Sequence, residues 1–204
     1  MMRTGLLYKI IWLISLLTLL LSGCRGSIPK TEFYTLNSIS NAQMDAKSIY
    51  AGQPLSIGVG PVTIPEMLDR PQIVSRTGPN TLQIDEFHRW AGRLEKDFAR
   101  VVAKNISLML ATDQVDVYPW DASFNPRYQV ILDVLRFEGR FNQKDVFLEV
   151  FWKVIDPQKK ITLLAKKSAI KESLTATNYE TLIATKSRIV AELSKEITKE
   201  INNL

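Results

Sequence analysis

"DVFLEVFWKVIDPQKKITLLAKKSAIKESL", residues 145–174, decides the fold. In its first twelve positions Val146, Leu148, Val150, Trp152 and Val154 alternate with Phe147, Glu149, Phe151, Lys153 and Ile155. A period of two puts each set on its own face of a β-strand. "DPQKK" then supplies a turn, with Pro157 at the second turn position, where its fixed φ fits. "ITLLAKKSAIKESL" returns as a second strand, and Lys166, Lys167 and Lys171 suit a solvated or edge position. The two strands form an antiparallel unit whose apolar face needs a cover.

The flanking sequence provides that cover. Downstream, Leu182, Ile183, Val190, Leu193 and Ile197 form one helical stripe running to about Ile201, and Thr177 and Glu180 in "TATNYE" have capping-box spacing. Upstream, "YQVILDVL" at 128–135 is apolar on both faces and reads as a central strand. "VDVYPW" at 115–120 is a short strand. Residues 92–111 read as a helix with Leu94, Phe98, Val101, Val102 and Met109 on one stripe. Residues 71–76 and 81–87 flank "TGPN" and read as a β-hairpin. "LSIGVGPVTIP" at 55–65 reads as a strand bent by glycine and proline. Residues 31–36 form another strand, and the polar, aperiodic 37–54 reads as a loop. The expected class is α+β: one domain over 31–204, a mostly antiparallel β-sheet with a β-hairpin extension and two long helices packed on it.

The N-terminus says where such a domain lives. Arg3 and Lys9 precede "IIWLISLLTLLL" at 10–21. Spanning a bilayer takes about 20 apolar residues, so this run is too short and fits a secretory signal over 1–23. "LSGC" follows, ending on Cys24, the only cysteine among 204 residues. It resembles the bacterial lipobox, in which the thiol receives a diacylglyceryl group, the signal is cut before the cysteine, and the new amine is acylated. Arg25, in place of the aspartate that usually retains such proteins at the inner membrane, points to the periplasmic face of the outer membrane. Residues 24–30 are a lipidated tether, and its six residues after Cys24 reach roughly 20 Å at about 3.3 Å each. With one thiol, the chain forms no internal disulfide, so stability must come from the core. Arg3 and Lys9 leave with the signal and take the formal charge from +5 to +3. A mild balance of this kind is no argument for nucleic acid.

Little here reads as chemistry. His88 is the single histidine, so no histidine-pair or cysteine-cluster metal site is expected, and neither is a cofactor beyond the covalent lipid. No nucleophile elbow or phosphate loop is present. In "DEFHRW", 85–90, Asp85 could orient His88 for acid–base work. On a strand, however, the two would point to opposite faces, which favours a structural histidine. Phe137, Phe147, Phe151 and Trp152 could line a lipid pocket, but such aromatics more often fill a core. No catalytic residue is expected.

Residues 57–94 carry a resemblance. Val59 to Val62, Pro65, Leu68 to Gln72, Val74, Trp90, Ala91 and Leu94 resemble the pattern of the ABC-type transport auxiliary lipoprotein component family, the PqiC/YmbA-like proteins of Gram-negative bacteria. Upstream "FYTL" and the lipobox fit it too. Gly92 and Arg93 depart from the family's Glu-Pro at the helix head, which should leave that helix start less fixed. The resemblance implies a non-enzymatic, outer-membrane-anchored subunit that docks a periplasmic MCE-domain protein and its inner-membrane transport machinery during lipid transport. Homo-oligomerisation stays open. Two other readings stand beside it: a regulatory lipoprotein that binds and activates an envelope enzyme, and a hydrolase using His88. The docking surface is expected on Met67, Leu68, Asp69 and Arg70, between Pro65 and Pro71, and on Trp90; the alternative is that Asp69 and Arg70 pair within the domain and simply hold this loop. Two prolines stiffen that segment, so presenting it costs little ordering entropy, and Trp and Arg are frequent interface anchors.

Overall fold

The alternation at 145–174 becomes two long strands in the computed structural model, which describes residues 12–13, 29–39 and 55–204. Thr31–Leu204 forms one unit and Met1–Lys30 another. Cys24, nearly all of the signal segment and loop residues 40–54 lie outside the described residues. Along the chain come β1 (Glu32–Tyr34), β2 (Ile57–Thr63), β3 (Gln72–Arg76), β4 (Leu82–Trp90), α1 (Leu94–Leu110), β5 (Val115–Val117), β6 (Tyr128–Arg140), β7 (Asp145–Asp156), β8 (Ile161–Ser173) and α2 (Tyr179–Ile201). β7 and β8 pair antiparallel along nearly their whole length, from Asp145 opposite Ser173 to Asp156 opposite Ile161. Val146, Leu148, Val150, Trp152 and Val154 are buried, while Phe151 and Lys153 on the other face are exposed.

β6 is the central strand, as its two apolar faces required. One edge pairs antiparallel with β7. The other edge is divided: the first half pairs with β2, and Gly139 near the end pairs with Ser75 of β3. The sheet is mixed, which corrects the expectation of a mostly antiparallel one. β1–β4, β2–β5, β2–β6 and β3–β6 are parallel, whereas β3–β4, β6–β7 and β7–β8 are antiparallel. Parallel neighbours need a long crossover. The chain between β2 and β5 supplies one, since it contains the β3–β4 hairpin and α1. That hairpin is part of the sheet rather than an appendage.

Both helices pack around Phe137 on the inner face. The Phe98 ring of α1 meets it edge-on at 5.5 Å. Gly139 admits α2, because a Cβ there would stand 2.4 Å from Leu182 Cδ1. A second glycine makes room beside β2: a Cβ on Gly58 would enter the ring of Trp120 at 2.6 Å, while the irregularity in the strand falls between Val59 and Val62. α2 is capped by the side chain of Asn178, which accepts from Thr181 N, rather than by the expected Thr177. β1 is only three residues long and pairs parallel with β4. Beyond it the chain leaves the sheet and is held by helix side chains. Leu36 N donates to Asp97 Oδ2 at 2.6 Å, Asn37 N to Ser187 Oγ at 3.1 Å and Ile39 N to Asn105 Oδ1 at 2.9 Å.

Candidate functional site

The proline-bracketed segment is tied at both ends by backbone bonds. Leu68 N and Asp69 N both donate to Pro65 O, at 2.8 and 3.2 Å, and Trp90 N donates to Pro71 O at 2.7 Å. The five residues expected to form a docking surface take different roles. Met67 is 54% exposed, whereas Leu68 and Trp90 are each 5% exposed and belong to the core. Their contribution is to seat the segment. Half-buried Arg70 donates through Nε to Gln72 Oε1 at 3.3 Å, and Gln72 donates on to Glu86 Oε2 at 3.1 Å.

Asp69 performs a task that the local sequence did not reveal. Arg93, at the N-cap of α1, makes no side-chain cap bond. Asp69 fills the gap from the loop: Oδ1 accepts from Glu95 N at 3.4 Å and Oδ2 from Arg93 at 2.8 Å. A carboxylate at a helix N-terminus satisfies an orphan donor and complements the dipole. The helix begins at Leu94, two residues later than expected, with its start fixed from outside.

His88 and Asp85 come together, contrary to the alternation argument. Gln72 is opposite Arg89, but the next β3 residue, Ile73, is opposite Asp85, so Glu86, Phe87 and His88 bulge out of β4. Asp85 Oδ1 accepts from the backbone N–H of Phe87 and of His88, each at 2.9 Å, and lies 2.8 Å from His88 Nδ1. Tyr179, at the head of α2, donates to Asp85 Oδ2 at 3.0 Å and stacks on the imidazole with ring centroids 3.8 Å apart. Tyr34 donates to Glu32 Oε2 at 2.6 Å, and that oxygen lies 3.7 Å from His88 Nε2. Burial pushes Asp85 up, but the hydrogen bonds from His88, the two backbone amides and Tyr179 outweigh it and hold the carboxyl below its ordinary range. Burial first, then the facing carboxylate, pushes both tyrosines well above theirs. The phenols therefore keep their protons. A hydrolytic site would need a hydroxyl opposite the far ring nitrogen, and His88 meets the Glu32 carboxylate there. The cluster joins β1, β4 and α2.

Phe137 and Trp152 lie in the core, while Phe147 is only partly buried and Phe151 is exposed, so the four aromatics do not converge on one pocket. Among the described residues no group of three or more His, Cys, Asp or Glu is placed to hold a metal. Lys186 was missed. Its side chain is 1% exposed, and Nζ donates to Phe137 O at 2.7 Å and lies 3.8 Å from the Phe137 ring centroid. Burial pulls its amine down to about 7, with the charge of Glu138 acting in the opposite sense. The signal was in the sequence: Lys186 stands four residues after Leu182 and four before Val190, in the middle of the buried stripe.

A family model described as "ABC-type transport auxiliary lipoprotein component" matches residues 34–198. Two solved structures share the fold. An uncharacterized protein is 17% identical with a TM-score of 0.68, the match covering 85% of this chain and 99% of the other. A Xanthomonas campestris protein is 15% identical with a TM-score of 0.66, the match covering 82% and 92%. At these identities the likeness is one of fold. No curated protein sequence matches the chain.

Proposed function

We propose that this chain, which belongs to the ABC-type transport auxiliary lipoprotein component family, acts without catalysis as the tethered docking subunit of an MCE-type lipid-transport assembly. Membership makes it an auxiliary lipoprotein of ABC-type transport. The finer reading places it on the periplasmic face of the outer membrane, held by diacylglyceryl and N-acyl groups on Cys24, where it captures the MCE-domain protein served by the inner-membrane machinery. The observation that carries the docking role is the segment between Pro65 and Pro71. Leu68 roots it in the core, Asp69 locks it to α1, and Met67 stands out from it into solvent. Such a segment is ordered before any partner arrives, so little entropy is lost on contact.

The test is co-purification of this chain with the products of its neighbouring genes, with capture of an MCE-domain protein as the expected result. Met67→Asp should weaken capture about tenfold or more if Met67 is an anchor, with an unchanged melt. Equal capture moves the docking surface elsewhere, and co-purification of an envelope enzyme instead of an MCE protein favours the regulatory reading. Cys24→Ser should remain an uncleaved precursor without lipid label; normal maturation of that variant removes the anchor from the proposal. His88→Ala should leave transport-linked function intact, and its loss in a stably folded variant revives the hydrolase.

A further inference from the structure

We propose that the end of the sheet where β3, β6 and β7 meet is a binding site for a phosphoryl anion, gripped by Arg136 and Arg140 beside Arg76, whose terminal nitrogens already donate to Glu138 and to the carbonyls of Gly78 and Pro79. These three arginines line a cavity of about 490 Å³, together with Thr77 and Pro79 of the β3–β4 turn and Asn142 of the β6–β7 turn. Asn142 Nδ2 donates to Thr77 O at 2.9 Å and joins the two turns into one rim.

The charges are layered. Beneath the arginines lie two buried carboxylates, Glu138 and Asp145. Glu138 holds Arg76 at 2.7 Å and Arg136 at 2.8 Å. Asp145 holds Arg140 at 2.5 Å and Lys171 at 3.0 Å. Four cations thus share two carboxylates, and two positive charges are left in excess. Burial pushes Glu138 up, but its two arginines more than offset this and hold it at about 2. It therefore stays anionic at neutral pH and keeps its arginines in place.

The guanidinium groups are oriented before any ligand arrives. Phe147 lies under two of them, its ring centroid 4.6 Å from Arg136 Cζ and 5.4 Å from Arg140 Cζ. Among the described residues Arg140 donates to protein only through Nε, although its side chain is 13% exposed. Arg136 donates only through one terminal nitrogen. Both side chains line the cavity. Guanidinium forks fixed from below, with donors to spare above, match an anion carrying three or more acceptor oxygens. A phosphate monoester or diester has that acceptor count and a charge close to the local excess. The same chemistry is offered by a phospholipid headgroup and by a free phosphate. This site is separate from the Met67 segment and does not depend on the docking proposal.

The experiment titrates the full chain in nonionic detergent micelles with inorganic phosphate, and separately with phosphatidylglycerol added to the micelles, diacylglycerol, which has no phosphate, serving as the control. The arginine Nε–Hε resonances and calorimetry are read together. Phosphate should shift Arg136 and Arg140, and Arg136→Gln and Arg140→Gln should each weaken binding about tenfold. Arg136→Lys, which keeps the charge and loses the fork, should weaken it several-fold; this variant decides the matter if Arg140→Gln melts early. Binding of phosphatidylglycerol but not inorganic phosphate assigns the site to a lipid headgroup, and the reverse assigns it to a soluble phosphate. Failure of both probes to shift these resonances, or equal affinity in all the arginine variants, overturns the proposal.

Discussion

α1 and α2 lean on the same phenylalanine, yet each leaves to the rest of the molecule what the other does for itself. α1 buries an almost wholly apolar stripe, Leu94, Phe98, Val101, Val102 and Ile106, with only Asn105 polar among the large buried side chains. Its first turn, however, is closed by Asp69 from a loop 26 residues earlier. α2 closes its own first turn with Asn178. Its buried face carries Thr185, Lys186, Ser187, Ser194 and Thr198. Three of those hydroxyls are satisfied within the helix: Ser187 donates to Ile183 O at 2.9 Å, Ser194 to Val190 O at 2.7 Å and Thr198 to Ser194 O at 2.8 Å. Lys186 reaches out of the helix to the sheet. Ending a helix and burying it are thus separate problems, and this fold solves each once by local sequence and once by tertiary contact.

The largest effect should come from removing the exception on α2. Lys186→Met abolishes the cost of burying an amine and loses one hydrogen bond to Phe137 O, for a net gain of about 2–4 kcal/mol at pH 7. The sign follows from protons. The folded amine titrates near 7 and the unfolded one near about 10.4, so the unfolded chain binds the extra proton between those values. Wild-type stability should therefore rise with pH across that window, at up to about 1.4 kcal/mol per unit. Denaturant melts at several pH values read both effects. An unchanged midpoint and an unchanged slope in Lys186→Met would mean that the amine is not titrating in the core.

The caps come next. Asp69→Ala should cost about 1–2 kcal/mol, and Asn178→Ala about 1 kcal/mol. Hydrogen exchange distinguishes them. Asp69→Ala should expose the first turn of α1 and residues 66–70 together, whereas Asn178→Ala should expose only the head of α2. If Asp69→Ala leaves the loop protected, the loop and the helix are not coupled and the contrast between the helices fails. The smallest effect belongs to Arg93→Ala. Its side chain is 60% exposed, and solvent screens its pairs with Asp69 and Glu95. A loss as large as that of Asp69→Ala would show that Asp69 acts through the ion pair and not through the helix end.

What could be read from the sequence follows the range of each interaction. β7 and β8 were visible because a two-residue period is written into every position of Val146 to Val154. Both helical stripes were visible for the same reason, and Lys186 could have been found by asking what stood between Leu182 and Val190. The parallel pairings were not visible, because a crossover leaves no turn signature at the strands it joins. The β4 bulge was hidden because Asp85 makes it by accepting two backbone amides, a contact that a plain alternation of residues cannot express. The cap from Asp69 was hidden by its distance along the chain. The proline-bracketed segment was recognised as stiff, but burial divided its residues: Leu68 and Trp90 went inward, and Met67 stayed out.

The path of the chain after β1 has a mechanical consequence. A pull applied at the N-terminal end of this unit first meets β1, a three-residue strand whose one strand neighbour is β4. The next links are Leu36 to Asp97, Asn37 to Ser187 and Ile39 to Asn105. These bonds alternate between the two helices: the first and third load α1, and the second loads α2. Tension that strips β1 from the sheet is therefore passed in sequence to the helices, and the first of these bonds to yield also draws fully buried Leu36 out of the core. The edge strand and the core are thus coupled through one residue, and the strand cannot be peeled far before the core opens behind it.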